Sequence, residues 1–173
     1  MKTKALTQTA LLTAMALIIF MVEAQIPLPV PVPGVKLGLS NVITLFALWT
    51  LGRRAAGLVL LVRIILGSFV AGNLMTMAYS LSGGVLCFLL MALMKPLFSQ
   101  QQIWVLSIFG AMAHNVGQLM IAVIITGTPS IVLPLGPVLL LSGIVTGLFT
   151  GLCAQAVILR LRDSRGTGRR RLF

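Results

Sequence analysis

The side chains best suited to binding chemistry in this chain are His114, Asn115 and Gln118, which lie inside one apolar segment. In a helix, His114 and Gln118 are one turn apart and Asn115 is three residues before Gln118, so the three share one broad face. One imidazole and two amides can hydrogen-bond a polar ligand, or they can bond a neighbouring helix. With no second histidine in the chain, a metal site is not expected.

Two cations accompany these residues. Lys36 follows Gly34 at the predicted start of a helix, where free backbone donors and the helix dipole favour an anion. Its alternative role is that of an interfacial anchor. Arg63 lies within an apolar segment, where an unpaired charge is unfavourable. Glu23 could pair with Arg63 or Lys36 and hold helices in place, or it could contact a ligand. The predicted ligand-binding residues are Lys36, Ser40, Asn41, Arg63, Asn73, Tyr79, His114, Asn115 and Gln118.

Composition identifies the elements that must position these side chains. The chain has 173 residues, of which 58% are hydrophobic and 9% charged, and its mean hydropathy is +1.09. Soluble domains carry about 25% charged residues, so this chain is predicted to be an all-α integral membrane protein. A membrane helix needs about 20 apolar residues. The six predicted transmembrane segments are 5–26, 37–51, 55–72, 74–94, 102–126 and 134–159.

Basic residues predict the orientation. With a cytoplasmic N-terminus, 11 Lys and Arg residues lie inside and only Lys36 lies outside, counting the sequence and setting aside Arg63. Both termini are then cytoplasmic, in a multi-pass protein of the cell membrane. This distribution explains the net charge of +11 without nucleic acid as a partner. Residues 1–159 are predicted to form one transmembrane domain and residues 160–173 a basic, disordered tail. The alternative is a signal peptide cleaved before Gln25.

This orientation places nearly all strong polar side chains at middle or outer depth. We therefore expect an outward-facing ligand cavity, with plain interhelical hydrogen bonding as the alternative. The stretch QIPLPVPVPGVKLGLSN leaves the first helix on the outer side. Alternating prolines favour an extended conformation, and we expect this loop to cover the cavity mouth, with a stiff surface connector as the alternative.

Small residues predict helix packing. Gly143, Gly147 and Gly151 recur every four residues and lie on one helical face, which allows a neighbouring helix to approach closely. That neighbour is expected within the same chain, and a partner chain is the alternative. Ala10 and Ala14 form a weaker pair of the same kind.

The residues available argue against catalysis by this chain alone. It has no G-x-x-x-x-G-K-[ST] loop for nucleotide phosphates. Its two acidic residues, Glu23 and Asp163, are predicted on opposite sides of the membrane, so they cannot share a magnesium ion. No cofactor or metal is expected.

Four sequence blocks, PVPGVKLGLSNVITLFAL, RIILGS, YSLSGG and GAMAHNVGQL, resemble the Gx transporter family, whose members are labelled heptaprenyl diphosphate synthase component I. The family is similar to the substrate-binding subunits of energy-coupling factor transporters. This resemblance implies six helices and an outward pocket for a small, vitamin-like ligand. It also implies that Ala10 and Ala14 dock a coupling protein with ATPases. The residues to test are then Lys36, Asn41, Arg63, His114, Asn115 and Gln118.

Three functions follow as hypotheses. The first is a substrate-binding subunit for uptake of a vitamin, cofactor or isoprenoid-related precursor, energised by a separate ATPase and coupling module. The second is component I of heptaprenyl diphosphate synthase, working with a soluble prenyltransferase subunit in isoprenoid-quinone synthesis. A scaffold that recruits quinone enzymes to the membrane is the third.

Overall fold

The computed structural model describes residues 3–26 and 36–170, with side chains up to Arg162. Short 3₁₀ turns precede or follow the helices at Lys95–Leu97, Gln100–Gln102 and Pro129–Ile131. Within the described residues, the six α-helices are α1 (Thr3–Glu23), α2 (Asn41–Thr50), α3 (Arg53–Ala71), α4 (Leu74–Met94), α5 (Ile103–Thr126) and α6 (Val132–Arg170).

Five of these helices are long and apolar enough to cross a membrane, and α2 is the exception. This result confirms the prediction of an all-helical, multi-pass membrane protein. With ten residues, α2 is about 15 Å long, which is half of a hydrocarbon core of about 30 Å. It is nevertheless central, because it packs against each of the other five helices.

Successive helices run in opposite directions through the bundle. The basic end of the bundle, defined by Lys4, Arg53, Lys95 and Arg162, brings together the starts of α1, α3 and α5, the ends of α2 and α4, and the C-terminal part of α6. Two polar contacts join elements at this end: Lys95 Nζ donates to the Leu48 carbonyl at 2.7 Å, and Arg162 donates to Gln100 at 3.1 Å. We call the opposite end, near Glu23 and Thr126, the far end.

The two halves of the bundle differ in chemistry. A continuous apolar core fills the basic half and receives side chains from all six helices, including Ala16, Leu48, Val59, Met91 and Leu106. The strongest buried polar side chains instead lie from the middle of the bundle to the far end. The far half therefore holds the buried charged residues among the described side chains, Glu23 and Arg63.

Helix ends follow their local sequence. Gly72 adopts a left-handed conformation with φ of 60° and ends α3, which a residue with a side chain would rarely do. Asn73 then caps α4, because its side chain accepts a hydrogen bond from the Met75 amide at 2.8 Å.

Two differences from the sequence predictions concern α2 and the C-terminus. The second helix begins at Asn41 instead of residue 37, because Gly38 has a φ of 78° that is incompatible with a helix. The last helix continues through Arg170, beyond the predicted end of the sixth segment at residue 159, and the disorder of the basic tail stays a prediction. No proline follows Pro137, and arginines are favourable near a helix C-terminus. The proline-rich stretch from Pro27 to Pro33 lies outside the described residues, and its extended conformation stays a prediction.

Candidate functional site

The candidate site is a buried polar cluster formed by seven residues from four segments of the chain. We call it the polar cluster. Its members come from the end of α1, from the segment leading into α2, and from the middle of α3 and α5. They are Glu23, Lys36, Ser40, Asn41, Arg63, His114 and Gln118.

Glu23 holds the start of α2. The carboxylate, 4% exposed, accepts hydrogen bonds from the backbone amides of Gly38 and Ser40, the latter at 3.4 Å. Helix N-termini present free amides and a positive partial charge, so a carboxylate from α1 acts there as a cap supplied by another helix. Its role is thus to fix the geometry of the segment that carries the other polar groups.

Arg63 joins the same segment from α3. Its guanidinium donates to the Ser40 hydroxyl and to Asn41 Oδ1, the latter at 3.2 Å. Glu23 and Arg63 therefore meet at Ser40, one through the backbone and the other through the hydroxyl. The Arg63 side chain is buried, and its Nε has no hydrogen-bond partner among the described residues.

His114 and Gln118 complete the cluster from α5. Asn41 Nδ2 lies 3.2 Å from His114 Nδ1, and the Gln118 amide contacts the other ring nitrogen. Gln118 also accepts from the Lys36 amide and donates to the Lys36 carbonyl, both at 2.8 Å. This two-point contact attaches the backbone at Lys36 to α5.

Two glycines allow the close approach around His114. A Cβ on Gly38 would lie 2.8 Å from His114 Cδ2, and one on Gly83 would lie 2.7 Å from His114 Nδ1. Real Cβ atoms do not tolerate these distances, so both positions require glycine for the imidazole to fit.

The Lys36 ammonium is the group in the polar cluster that can still take a further partner. Its Nζ is shielded from solvent, has no hydrogen-bond partner among the described residues, and lies 3.4 Å from the centroid of the Phe20 ring. Burial lowers the pKa of Lys36 to about 8, an effect that Glu23 partly opposes and Arg63 reinforces. A cation held mainly by an aromatic face can accept an anionic or carbonyl oxygen as a further partner.

Three predicted ligand-binding residues lie apart from this cluster. Asn73 is exposed and caps α4. Tyr79 is buried with Leu135 and Leu139 in a separate apolar group. Asn115 faces α6, where its amide donates to the Leu139 carbonyl and approaches the Ser142 hydroxyl at 3.3 Å, and its Oδ1 has no partner among the described residues.

The predicted small-residue positions lie on two surfaces. A Cβ on Gly147 would lie 2.7 Å from Ile108 Cα, and one on Gly151 would lie 2.6 Å from Trp104 Cα. Gly143 packs against α5 in the same manner, so the three glycines face a helix of this chain. Ala10 and Ala14, by contrast, are on the exposed side of α1, where a partner could reach them.

Sequence reasoning did not assign three contributors to the site. It considered Glu23 as a pairing residue or a ligand contact but not as a cap of α2, and it passed over Phe20 and Gly38. Phe20 precedes Glu23 by one helical turn, and this spacing was the available signal that an aromatic ring lies near the cluster. Gly38 carried no comparable signal, because its role depends on an imidazole that is distant in sequence.

Together the fold and the cluster define a multi-pass helical membrane protein with a buried, charged assembly in its far half. Residues 12–157 match the family described as heptaprenyl diphosphate synthase component I, and the chain belongs to this family. A search of the curated proteins and a search of the solved structures found no match. The similarity to substrate-binding subunits of energy-coupling factor transporters stays a prediction.

Proposed function

We propose that this protein is a ligand-binding membrane subunit that works with separate partner subunits. The observation that carries this proposal is the Lys36 ammonium, which is shielded from solvent beside Arg63 without a hydrogen-bond partner among the described residues. Two cations facing the single carboxylate of Glu23 leave positive charge for an anionic ligand. A diphosphate or a carboxylate fits this requirement.

The first candidate function is that of the membrane component of heptaprenyl diphosphate synthase. Membership of the family over residues 12–157 favours it. Magnesium-dependent transfer of prenyl groups needs several carboxylates, and the far half of the described chain offers only Glu23. In this function, a soluble prenyltransferase subunit supplies the catalytic carboxylates, and the present chain binds and anchors.

The second candidate function is that of a substrate-binding subunit for uptake of a small, water-soluble anion. The position of the polar cluster favours it, because the cluster lies towards the end opposite the basic residues. By the positive-inside rule that end faces outward. A coupling protein and ATPases would then supply energy, and the exposed Ala10 and Ala14 would offer them a docking surface.

Purification of the full chain from its native membrane separates the two functions. Mass spectrometry of the co-purified proteins should identify a soluble prenyltransferase if the first is correct. Recovery of a coupling protein with ATPases, and no prenyltransferase, would support uptake instead.

Binding at the polar cluster can be tested with inorganic diphosphate and with any metabolite that co-purifies. Lys36→Ala should weaken affinity about tenfold or more, since hydrogen bonds to charged groups contribute about 1.5–3 kcal/mol. Arg54→Ala removes an exposed cation from the basic end and is the matched control. Equal affinities for wild type and Lys36→Ala would exclude the cluster as the binding site.

A further inference from the structure

The charges of the polar cluster do not cancel. Glu23 and Arg63 are 4% and 2% exposed, and the Lys36 ammonium is shielded from solvent. Both carboxylate oxygens of Glu23 accept a hydrogen bond from a backbone amide, as an ionised carboxylate does. Lys36 and Arg63 therefore contribute one positive charge each, and Glu23 contributes one negative charge.

His114 adds no charge, because its hydrogen bonds fix a neutral ring. The Gln118 oxygen accepts from the Lys36 amide and the Gln118 nitrogen donates to the Lys36 carbonyl, so the orientation of this side-chain amide is determined. The same nitrogen contacts His114 Nε2, which therefore accepts a hydrogen bond and carries no proton. An imidazole with one unprotonated nitrogen is neutral. The polar cluster as a whole thus has an excess of one positive charge.

Backbone donors that could hold a phosphate are already occupied at the start of α2. Helix N-termini bind phosphate through free amides, but here Glu23 takes the amides of Gly38 and Ser40. The next three amides donate to carbonyls three residues back at 3.0, 3.1 and 3.3 Å, in the pairs Asn41 to Gly38, Val42 to Leu39 and Ile43 to Ser40. The carboxylate of the protein itself therefore occupies the position that a phosphate would need.

The donors that stay free in the cluster are few. The Lys36 ammonium and Arg63 Nε have no hydrogen-bond partner among the described residues. The other Arg63 nitrogens donate to Ser40 and Asn41. Beside the ammonium lies the face of the Phe20 ring, which has no hydrogen-bond donor to offer an anion. A carboxylate can be satisfied by these donors, whereas a polyanion would keep buried oxygens without partners.

We infer that the ligand of the polar cluster is a monocarboxylate, a small molecule with one carboxylate and neither a phosphate nor a second acidic group. One negative charge balances the excess positive charge, and Lys36 Nζ and Arg63 Nε are its free donors. A second negative charge would be buried without compensation, which is unfavourable inside a membrane protein. This inference rests on the proposed function and narrows its ligand from a diphosphate or a carboxylate to a monocarboxylate.

Acetate, malonate and acetamide test the charge of the ligand with molecules too small for size to decide. Binding is measured by saturation-transfer NMR at pH 7, where Lys36 is protonated, on the full-length protein in zwitterionic nanodiscs, with empty nanodiscs as the blank. Acetate should bind about tenfold or more tightly than the dianion malonate or the neutral acetamide. Malonate or inorganic diphosphate binding as tightly as acetate would overturn the monocarboxylate assignment and leave anion binding at the cluster intact. Absence of binding by every one of these anions would overturn both.

Variants that change the charge of the cluster provide the second test. Lys36→Met removes the excess cation, so acetate should bind about tenfold or more weakly and no better than acetamide. Arg54→Met removes an exposed cation from the basic end and is the matched control, with an expected change of less than about twofold. Equal losses in these two variants would mean general surface attraction and would overturn the inference.

Glu23→Gln changes the charge in the opposite direction. It raises the excess to two positive charges, so malonate should then bind at least as tightly as acetate. A folded Glu23→Gln variant that keeps the wild-type preference for acetate would show that net charge does not select the ligand, which contradicts the inference. If this variant does not fold, the comparison of Lys36→Met with Arg54→Met still decides.

Discussion

At the scale of single residues, Glu23 organises the polar cluster. It satisfies two backbone amides at the start of α2 and places a negative charge near Lys36 and Arg63. Removal of one partner from a buried charged group leaves the remaining charges uncompensated. The stability of the cluster should therefore depend on this one carboxylate more than on any of its amides.

Glu23→Gln should lower the free energy of unfolding by about 1.5–3 kcal/mol, measured by SDS-induced unfolding in mixed micelles. The loss arises because Gln keeps the shape of the side chain but not its charge. Adding Lys36→Met removes one uncompensated cation, so the double variant should be less destabilised than the sum of the single variants. Additive effects within about 0.5 kcal/mol would show that Glu23 and Lys36 act independently.

Lys36 should make both stability and binding depend on pH. Its pKa is about 8 in the folded protein, below the ordinary value of 10.5. Between these values the unfolded chain binds more protons, so the contribution of Lys36 to stability rises with pH. Affinity for an anion should move in the opposite direction and fall above pH 8, as the ammonium deprotonates.

Unfolding and diphosphate-binding titrations from pH 7 to 9.5 would measure these two trends. Lys36→Met should remove this part of both pH dependences, since no titrating group then remains at the position. A Lys36→Met variant with the pH profile of the wild type would contradict the assignment.

Residue type and the expected depth in the membrane predicted six members of the polar cluster. They could not predict which other polar residues lie outside it. Buried amides and charges stand out in an apolar chain, which is why Arg63, His114 and Gln118 could be selected. The direction of each side chain was not available. Asn115 is adjacent to His114 yet faces α6, and Asn73 bonds its own helix. A ligand-binding role for these two asparagines stays a prediction.

At the scale of elements, close packing of α5 against α6 is set by glycines. Gly147 approaches the backbone of Ile108 so closely that a Cβ would lie 2.7 Å from its Cα. Lipid tails give helices little hydrophobic reason to associate, so such contacts supply much of the attraction between helices.

Gly147→Ala should destabilise the protein by about 1–3 kcal/mol, because the added methyl group forces the two helices apart. Gly57→Ala in α3 is the control, because the nearest atom to a new Cβ there is Phe88 Cζ at 3.6 Å, an ordinary van der Waals contact. That change should be neutral or slightly stabilising, since Ala favours helices over Gly. Equal destabilisation by both substitutions would mean that the packing contact is unimportant.

Apolar length predicted five long helices well, but helix ends were harder. Hydropathy reports where a chain can enter the membrane, whereas a helix ends where the backbone or a cap requires it. Gly38 moves the start of α2 to Asn41, and α6 continues past the apolar segment to Arg170 although that extension contains Gly166 and Gly168. Local hydrogen bonds and φ angles decide these limits.

At the scale of the whole molecule, the asymmetry of charge and core predicts an orientation. An apolar core fills the interior of the basic half, and the buried charged residues Glu23 and Arg63 lie from the middle of the bundle to the far end. From the positive-inside rule we predict that the basic end faces the cytoplasm and the polar cluster lies towards the outside.

Cysteine labelling tests this orientation. Gln101 and Thr128 are exposed at opposite ends of α5. In a Cys153→Ala background, a membrane-impermeant thiol reagent applied to intact cells should label Thr128→Cys but not Gln101→Cys. Cys87 is buried and can be retained. Labelling of Gln101→Cys alone would reverse the orientation and place the polar cluster on the cytoplasmic side.

The short helix α2 has a consequence for biogenesis. It is too short to be inserted as an independent span, and the polar contacts of α2 and the segment leading into it come from α1, α3, α5 and the 3₁₀ turn at Lys95. Its N-terminal segment is attached to Gln118, which the ribosome makes 82 residues after Lys36. The second helix therefore reaches its final position only after the fifth has been synthesised, and maturation of the polar cluster is a late step in the assembly of this protein.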